Sequence, residues 1–154
     1  NAPIQCGAAA ITLMALILAH REMRAREMRS KLILTVHDSI AADCFVDEVF
    51  EVARILRNAM ELITERSDEV IPGIDWKWLR VPIVADLESG FTWGSCVEWK
   101  ECKANGVVRT IDPDDPDVDH LWDAMAEASY SQPLDEEAAR IVAQSVEDDD
   151  EEAA

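Results

Sequence analysis

No stretch constrains the fold more than Leu32-Ile33-Leu34-Thr35-Val36-His37-Asp38-Ser39-Ile40. Apolar residues alternate along Leu32 to Val36 with the period of a strand, and a second apolar run, Ile40 to Phe45, follows at once. Two such runs with so little chain between them predict a β-hairpin turning at His37 and Asp38. Strict alternation puts Leu32, Leu34 and Val36 on one face and Ile33, Thr35 and His37 on the other. Aspartate tolerates the backbone angles of tight turns, so the hairpin alone makes Asp38 a turn residue.

Helical sequence flanks the hairpin on both sides. Residues 1–30 predict one helix, because Pro3 suits a first turn and Ala8 to Ala19 is apolar nearly all round, which predicts burial. From His20 the helix turns charged through Arg21, Glu22, Arg24, Arg26, Glu27 and Arg29, a solvated end whose charges can pair along the surface. After the hairpin, Asp47 suits a helix N-cap with Glu48 and Glu51 in the first turn. Val49, Val52, Leu56, Met60 and Ile63 then form one apolar stripe that needs a surface such as the hairpin to pack on. Ser67 to Arg80 holds Pro72 and Gly73 and predicts a loop. Val81 to Leu87 predicts a third strand, with Pro82 at its start or on a sheet edge. Ser89-Gly90 ends that strand, and Phe91 and Trp93 are expected to anchor the chain on the core. The resulting fold class is α+β: a small antiparallel sheet, made of the hairpin plus a third strand, with helices on one face.

Charge is distributed unevenly. The formal net charge is −18, and residues 101–154 carry 17 acids against Lys103, Arg109 and Arg140. The acidity therefore argues against a phosphate-binding role for the tail and says little about residues 1–100. Within the tail, Asp112 to Asp117 is a proline-broken acidic run, and Val118 to Ser129 predicts a short helix with Leu121, Trp122 and Met125 on one side. Glu147 to Glu152 predicts disorder, since like charges repel with nothing apolar to compensate. The four cysteines are scattered without a CxxC pair or nearby histidines, which predicts packed free thiols, Cys6 and Cys44 among them, in a reducing, intracellular setting. Ala8 to Ala19 is too short to span a bilayer, so no membrane partner is expected. Trp76, Trp78, Trp93 and Trp99 read as packing anchors, and His20 and His120 as lone histidines.

Five elements in order carry a resemblance: Asn1-Ala2-Pro3-Ile4-Gln5, the helix of small apolar residues, Val36-His37-Asp38, Val81-Pro82-Ile83-Val84, and Ser89-Gly90 followed by Trp93. Together they resemble the C-terminal palm and fingers region of family A DNA polymerases, the bacterial polymerase I and T7-like phage replicative enzymes. The likeness covers residues 1–99, and so divides the chain into a palm portion, 1–100, and an acidic, partly disordered extension, 101–154. The resemblance implies that Asp38 is the motif C aspartate, one of two carboxylates holding a pair of Mg2+ ions for nucleotidyl transfer. It implies that His37 lies against the primer end, and that Asn1 and Gln5, one helical turn apart, hydrogen-bond in the minor groove. Ser39 stands beside them at the DNA, where many relatives have glutamate; His-Asp-Ser is the form of the single-subunit RNA polymerases, an alternative reading.

The resemblance also implies what else would be needed. The second catalytic aspartate and the nucleotide-binding helix have no counterpart in this sequence, so one carboxylate cannot build a two-ion site here. The expectation is a C-terminal fragment or subunit, beginning inside a motif and active only with an N-terminal polymerase partner, with primer-template DNA and dNTPs, in the cytoplasm of a bacterial or phage-infected cell. A non-catalytic binding module acting through the acidic tail is the other alternative.

Overall fold

In the computed structural model, α1 spans Ala2–Ala25, and the structure describes residues 2–131 apart from Asp75 and Lys77, with side chains from Cys6 onward. The helix stops well short of residue 30. Glu27 adopts a left-handed φ of 55°, Glu27 N donates to Arg24 O at 3.1 Å, and Met28 N donates to Met23 O at 3.0 Å. These bonds form a Schellman close, and Met28 and Met23 share the same apolar cluster across it. A glutamate fills the position that glycine takes most readily.

One side of α1 is buried. Met14, Ala15, Leu18, Ala19 and Met23 pack against α2 (Val49–Glu61) and α3 (Ile63–Val70), while Leu13 on the other side is 54% exposed. The apolar sequence does not go all the way into the core, because the described elements line only one flank of the helix. Cys6–Ala25 is long and apolar enough to cross a membrane by length and composition, more than the Ala8–Ala19 reading allowed. Its buried side packs as a core helix does.

β1 (Lys31–Val36) and β2 (Ser39–Asp43) form the expected hairpin, with one irregularity that changes its faces. Leu32 pairs with Ala42 and Leu34 with Ala41, which leaves Ile33 as an extra residue in a β-bulge. Across the bulge the alternation is reset. Leu32, Ala42 and Ile40 face the core, whereas Leu34, opposite Ala41, and Val36, opposite Ser39, lie on the other face and are exposed. Counting by twos from Leu32 therefore gives the wrong face for Leu34 and Val36.

The expected single helix after the hairpin is two. α2 ends at Glu61, Leu62 breaks the φ/ψ pattern, and α3 restarts at Ile63. Asp47 is not a cap: Val46–Glu48 is a 3-10 turn, and α2 begins behind Glu48 without a side-chain cap. The buried stripe runs Val52, Ile55, Ala59, Ile63, with Leu56 and Met60 at its margin. α2 also buries a second side, where Ala53, Val49 and Phe50 meet another cluster.

The α+β class holds, but as three separate two-stranded antiparallel sheets. No residue of the expected third strand, Val81 to Leu87, lies in a strand; pairing begins just beyond it at Glu88–Ser89 (β3), whose partner is Val97–Glu98 (β4), not the hairpin. Upstream, the Ala85 N–H is taken by Glu61 Oε1 at 3.1 Å, and Ile83 and Leu87 pack on the two clusters, so the segment is held to helices by side chains. Gly90 then approaches Ser95 so closely that a Cβ would lie 2.6 Å from its carbonyl oxygen. Phe91 and Trp93 do not anchor the chain on the core. Trp93 is 67% exposed and Phe91 stacks on Trp122, while the anchor is Trp99, buried and donating from Nε1 to Ser89 Oγ at 2.8 Å.

Beyond Trp99 the chain stays folded through residue 131. β5 (Cys102–Ala104) and β6 (Val107–Arg109) join through Asn105-Gly106, both with positive φ, a type I′ geometry. α4 (Val118–Ser131) then packs on β5 through Leu121, Ala124 and Met125. His120 is buried with a partner after all, its Nε2 lying 2.7 Å from Cys102 O. Arg57 of α2 ties the acidic run down, reaching Asp112 at 3.0 Å and Asp114 at 2.6 Å. Glu147 to Glu152 lies outside the described residues. Of the four free thiols, Cys102 is buried and Cys44 half-buried, but Cys6 and Cys96 are exposed rather than packed.

Candidate active-site hairpin

The hairpin turn is two residues long. Val36 pairs with Ser39, and His37 and Asp38 span the gap between them. His37, not Asp38, takes the left-handed backbone, with φ 55°. A non-glycine residue held there stores strain of the kind that clusters at functional sites, provided the surroundings enforce it. His37, Asp38 and Ser39 are all exposed. The turn thus presents an imidazole, a carboxylate and a hydroxyl side by side in water.

Two devices hold it there. Ile40, two residues past Asp38, packs against the first cluster, and Ala42 and Leu32 repeat that contact further down the hairpin. At the open end, Glu48 accepts four hydrogen bonds from the chain entering β1: Ser30 N at 2.8 Å, Ser30 Oγ at 2.6 Å, Arg29 N at 3.1 Å and Arg29 Nε at 3.4 Å. Phe45 N donates to Ser30 Oγ at 3.0 Å, and the Arg29 guanidinium, paired with Asp47, sits 4.2 Å over the Phe45 ring. The Ser30 hydroxyl, the two backbone N–H groups and Arg29 hold the Glu48 carboxyl down at about 2. Between the strands and this clamp, burial pushes the Cys44 thiol up to about 11, with the charges of Asp43 and Glu48 adding to it. Cys44 is therefore a packing residue.

Sequence reading missed the clamp. Arg29 was one charge in a solvated helix end, and Glu48 a first-turn acid. Their signal lies in register: extending the hairpin ladder outward brings Ser30 towards the residues that follow Asp43, so the acid after β2 meets the N–H groups before β1.

The remaining predicted residues are placed as follows. Gln5 lies in the first turns of α1, where only the backbone is described, and Asn1 lies outside the described residues. Asp38 is the carboxylate of the two-residue turn. Among the described residues no three of His, Cys, Asp and Glu gather where they could hold a metal ion. Asp38 offers the hard oxygen ligands that Mg2+ prefers, and Ser39 adds no second carboxylate. The donor set fits one contribution to an ion site and does not fit a complete one.

Comparison with known proteins agrees in extent with the part of the chain built around this hairpin. The family model for DNA polymerase family A matches residues 1–95. The DNA polymerase of Bacillus phage SP01 is 39% identical over 99 residues, 64% of this chain and 10% of that protein. DNA polymerase I of Chloroflexus aurantiacus is 37% identical over 93 residues, 60% of this chain and 9% of its own length, and that of Lactococcus lactis strain IL1403 is 34% identical over the same span. The chain thus spans about a tenth of the length of these relatives. No solved structure matches it.

Proposed function

Because the chain belongs to DNA polymerase family A, we propose that it is the C-terminal segment of a DNA-directed DNA polymerase whose hairpin turn supplies one of the carboxylates of the catalytic site. The observation that carries this is the mounting of Asp38: an exposed acid on a two-residue turn, pinned through Ile40 and clamped at the base by Ser30 and Glu48. A stability role would not need that carboxylate in water. A ligand position would, because a metal-holding group must be fixed by its supports and open on its working side.

In this reading Asp38 holds one position of a Mg2+ site, and the other catalytic aspartate and the nucleotide-binding helix come from an N-terminal polymerase segment. The two ions supply charge stabilisation during nucleotidyl transfer when bound. This chain's own task is to fix the carboxylate, while His37 and Ser39 lie beside it towards the primer end and Asn1 and Gln5 face the minor groove of primer-template DNA. Ser39 leaves the auxiliary acid of many relatives absent or supplied elsewhere. All the relatives reported above are DNA polymerases, which favours dNTPs over the rNTP reading that Ser39 raised. The cytoplasm of a bacterial or infected cell is the compartment that fits.

The test is reconstitution. The upstream polypeptide is co-expressed with this chain, and primer extension is measured with dNTPs and with rNTPs. Asp38→Ala is expected to lower extension by on the order of 10²–10³-fold, the scale for removing a charge-stabilising group from a reaction centre. Extension that is indifferent to Asp38→Ala, or the lack of any stable complex, would overturn the proposal.

A further inference from the structure

The outward side of α4 carries more than its packing requires. We propose that it is a docking surface for a basic amphipathic helix of another protein. Leu121, Ala124 and Met125 fill the second apolar cluster, and His120 is buried as well. The other side of α4 presents two rows at a spacing of four, each lying along one ridge of the helix. Val118, Trp122, Ala126 and Tyr130 form an apolar row, with Trp122 and Ala126 half-buried and Tyr130 92% exposed. Phe91 stacks on Trp122 with ring centroids 6.3 Å apart and, itself 56% exposed, widens that row. Asp119, Asp123 and Glu127, all exposed, form the second row beside it. Aromatic rings held in place offer contact area at little cost in side-chain entropy.

Charge selects the partner. Residues 86–131 hold eleven acids against Lys100, Lys103 and Arg109. Lys100 pairs with Asp86, Arg109 with Asp117, and Arg57 of α2 with Asp112 and Asp114. Lys103 stands between Cys102 and Ala104, both buried in the cluster under α4, so strand alternation turns it away from the helix. Among the described residues Asp119, Asp123 and Glu127 pair with no cation; Asp123 and Glu127 accept from the neutral Asn105, at 3.4 Å and 3.1 Å. Nucleic acid and anionic lipid carry the sign of this face and are repelled. A second copy brings the same net charge of −18, and residues 132–154 of this chain hold nine acids against Arg140, so neither fits. A helix with apolar residues at every third or fourth position and Lys or Arg beside them matches both rows at once. α4 has 14 residues, about 21 Å, enough for one such helix to lie alongside. α4 lies beyond residues 1–95, the span matched by the polymerase family model, and the proposal does not rest on the role of Asp38.

The experiment is fluorescence anisotropy of a labelled amphipathic helical peptide of leucine and lysine, as long as α4, titrated with the full chain. A peptide of equal charge with serine in place of leucine is expected to bind at least about tenfold more weakly. Tyr130→Ala is expected to weaken binding of the leucine peptide by about fivefold to about thirtyfold, the range of an interface anchor. Asp119→Asn combined with Glu127→Gln is expected to weaken it by about fivefold and to flatten its salt dependence. Glu65→Gln, which removes an exposed acid of α3, is expected to change neither. All the substituted side chains are exposed, and thermal melting checks that each variant folds. Equal binding of the two peptides, or as large a loss from Glu65→Gln as from the paired substitution, would mean unspecific attraction to an acidic protein and would overturn the proposal. So would unchanged affinity in Tyr130→Ala, or tighter binding to phosphatidylserine vesicles than to the peptide.

Discussion

The hydroxyl of Ser30 donates to Glu48 Oε2 across the open end of the hairpin at 2.6 Å, closing the end opposite Asp38. One acid thereby holds together the chain that enters β1 and the chain that leaves β2. The turn at the far end is only as steady as this closure and the Ile40 contact make it.

Acid should loosen that closure. The Glu48 carboxyl sits at about 2 against an ordinary 4.5, so the folded chain favours its charged form. A group lowered on folding stabilises the fold above its unfolded value, and that contribution fades as pH falls from about 4.5 and is gone below about 2. Glu48→Gln is expected to melt below wild type at pH 7, with the two melting temperatures converging between pH 4.5 and 2. A gap that stays constant over that range would contradict the assignment.

Removing Ile33 separates folding from aim. The residue has no partner on β2, so its deletion leaves the pairs Leu32–Ala42 and Leu34–Ala41 available in an unbroken ladder. Bulges re-aim the strand that carries them. The deletion is expected to change stability by less than about 2 kcal/mol in urea unfolding while lowering reconstituted primer extension at least about tenfold. Full activity in a folded deletion variant would show that the bulge does not position the turn.

Gly90 tests the second core. A methyl group there would sit 2.6 Å from Ser95 O and 2.8 Å from Cys96 Cα, both backbone atoms that cannot swing away. Gly90→Ala is expected to cost about 1–3 kcal/mol in urea unfolding. Gly73→Ala, where nothing lies within 4 Å but φ is +85°, is expected to cost about 1 kcal/mol through backbone strain alone. If Gly73 proves the more costly of the two, the close approach at Gly90 is wrong.

A chain cut after Lys100 should not fold. It would lose the buried Leu121, Met125, Ile111 and Cys102 and uncover Ala53, Phe50 and Trp99. At about 1.5–3 kcal/mol for each large side chain, the loss exceeds about 4 kcal/mol before any exposed patch is counted. Aggregation or a molten near-ultraviolet spectrum is expected. A monomeric, cooperatively melting fragment 1–100 would refute it.

Much of this molecule was legible in its sequence. The period-two run and its abrupt turn gave the hairpin, and the order of five motifs gave the family. What stayed hidden depends on contacts between distant residues. The bulge at Ile33 leaves no mark in an alternating run, because every residue from Leu32 to Leu34 is aliphatic. The end of α1 hid because Glu27 fills a position where glycine would have announced the cap. Val81 to Leu87 reads as a strand from its side chains, yet a strand needs a neighbour's backbone, and here Glu61 takes the Ala85 N–H instead. Trp93 looked like an anchor and Trp99 did not stand out from it, since only the fold decides which indole finds Ser89.

α2 lies between both apolar clusters, giving Val52, Ile55 and Ala59 to one and Ala53 to the other. Neither cluster can come apart without stripping a side of the same helix. The family-matched portion and residues 101–131 are therefore expected to melt as one cooperative unit, with the amide protons of Val52 to Ile55 exchanging with solvent only when both clusters open.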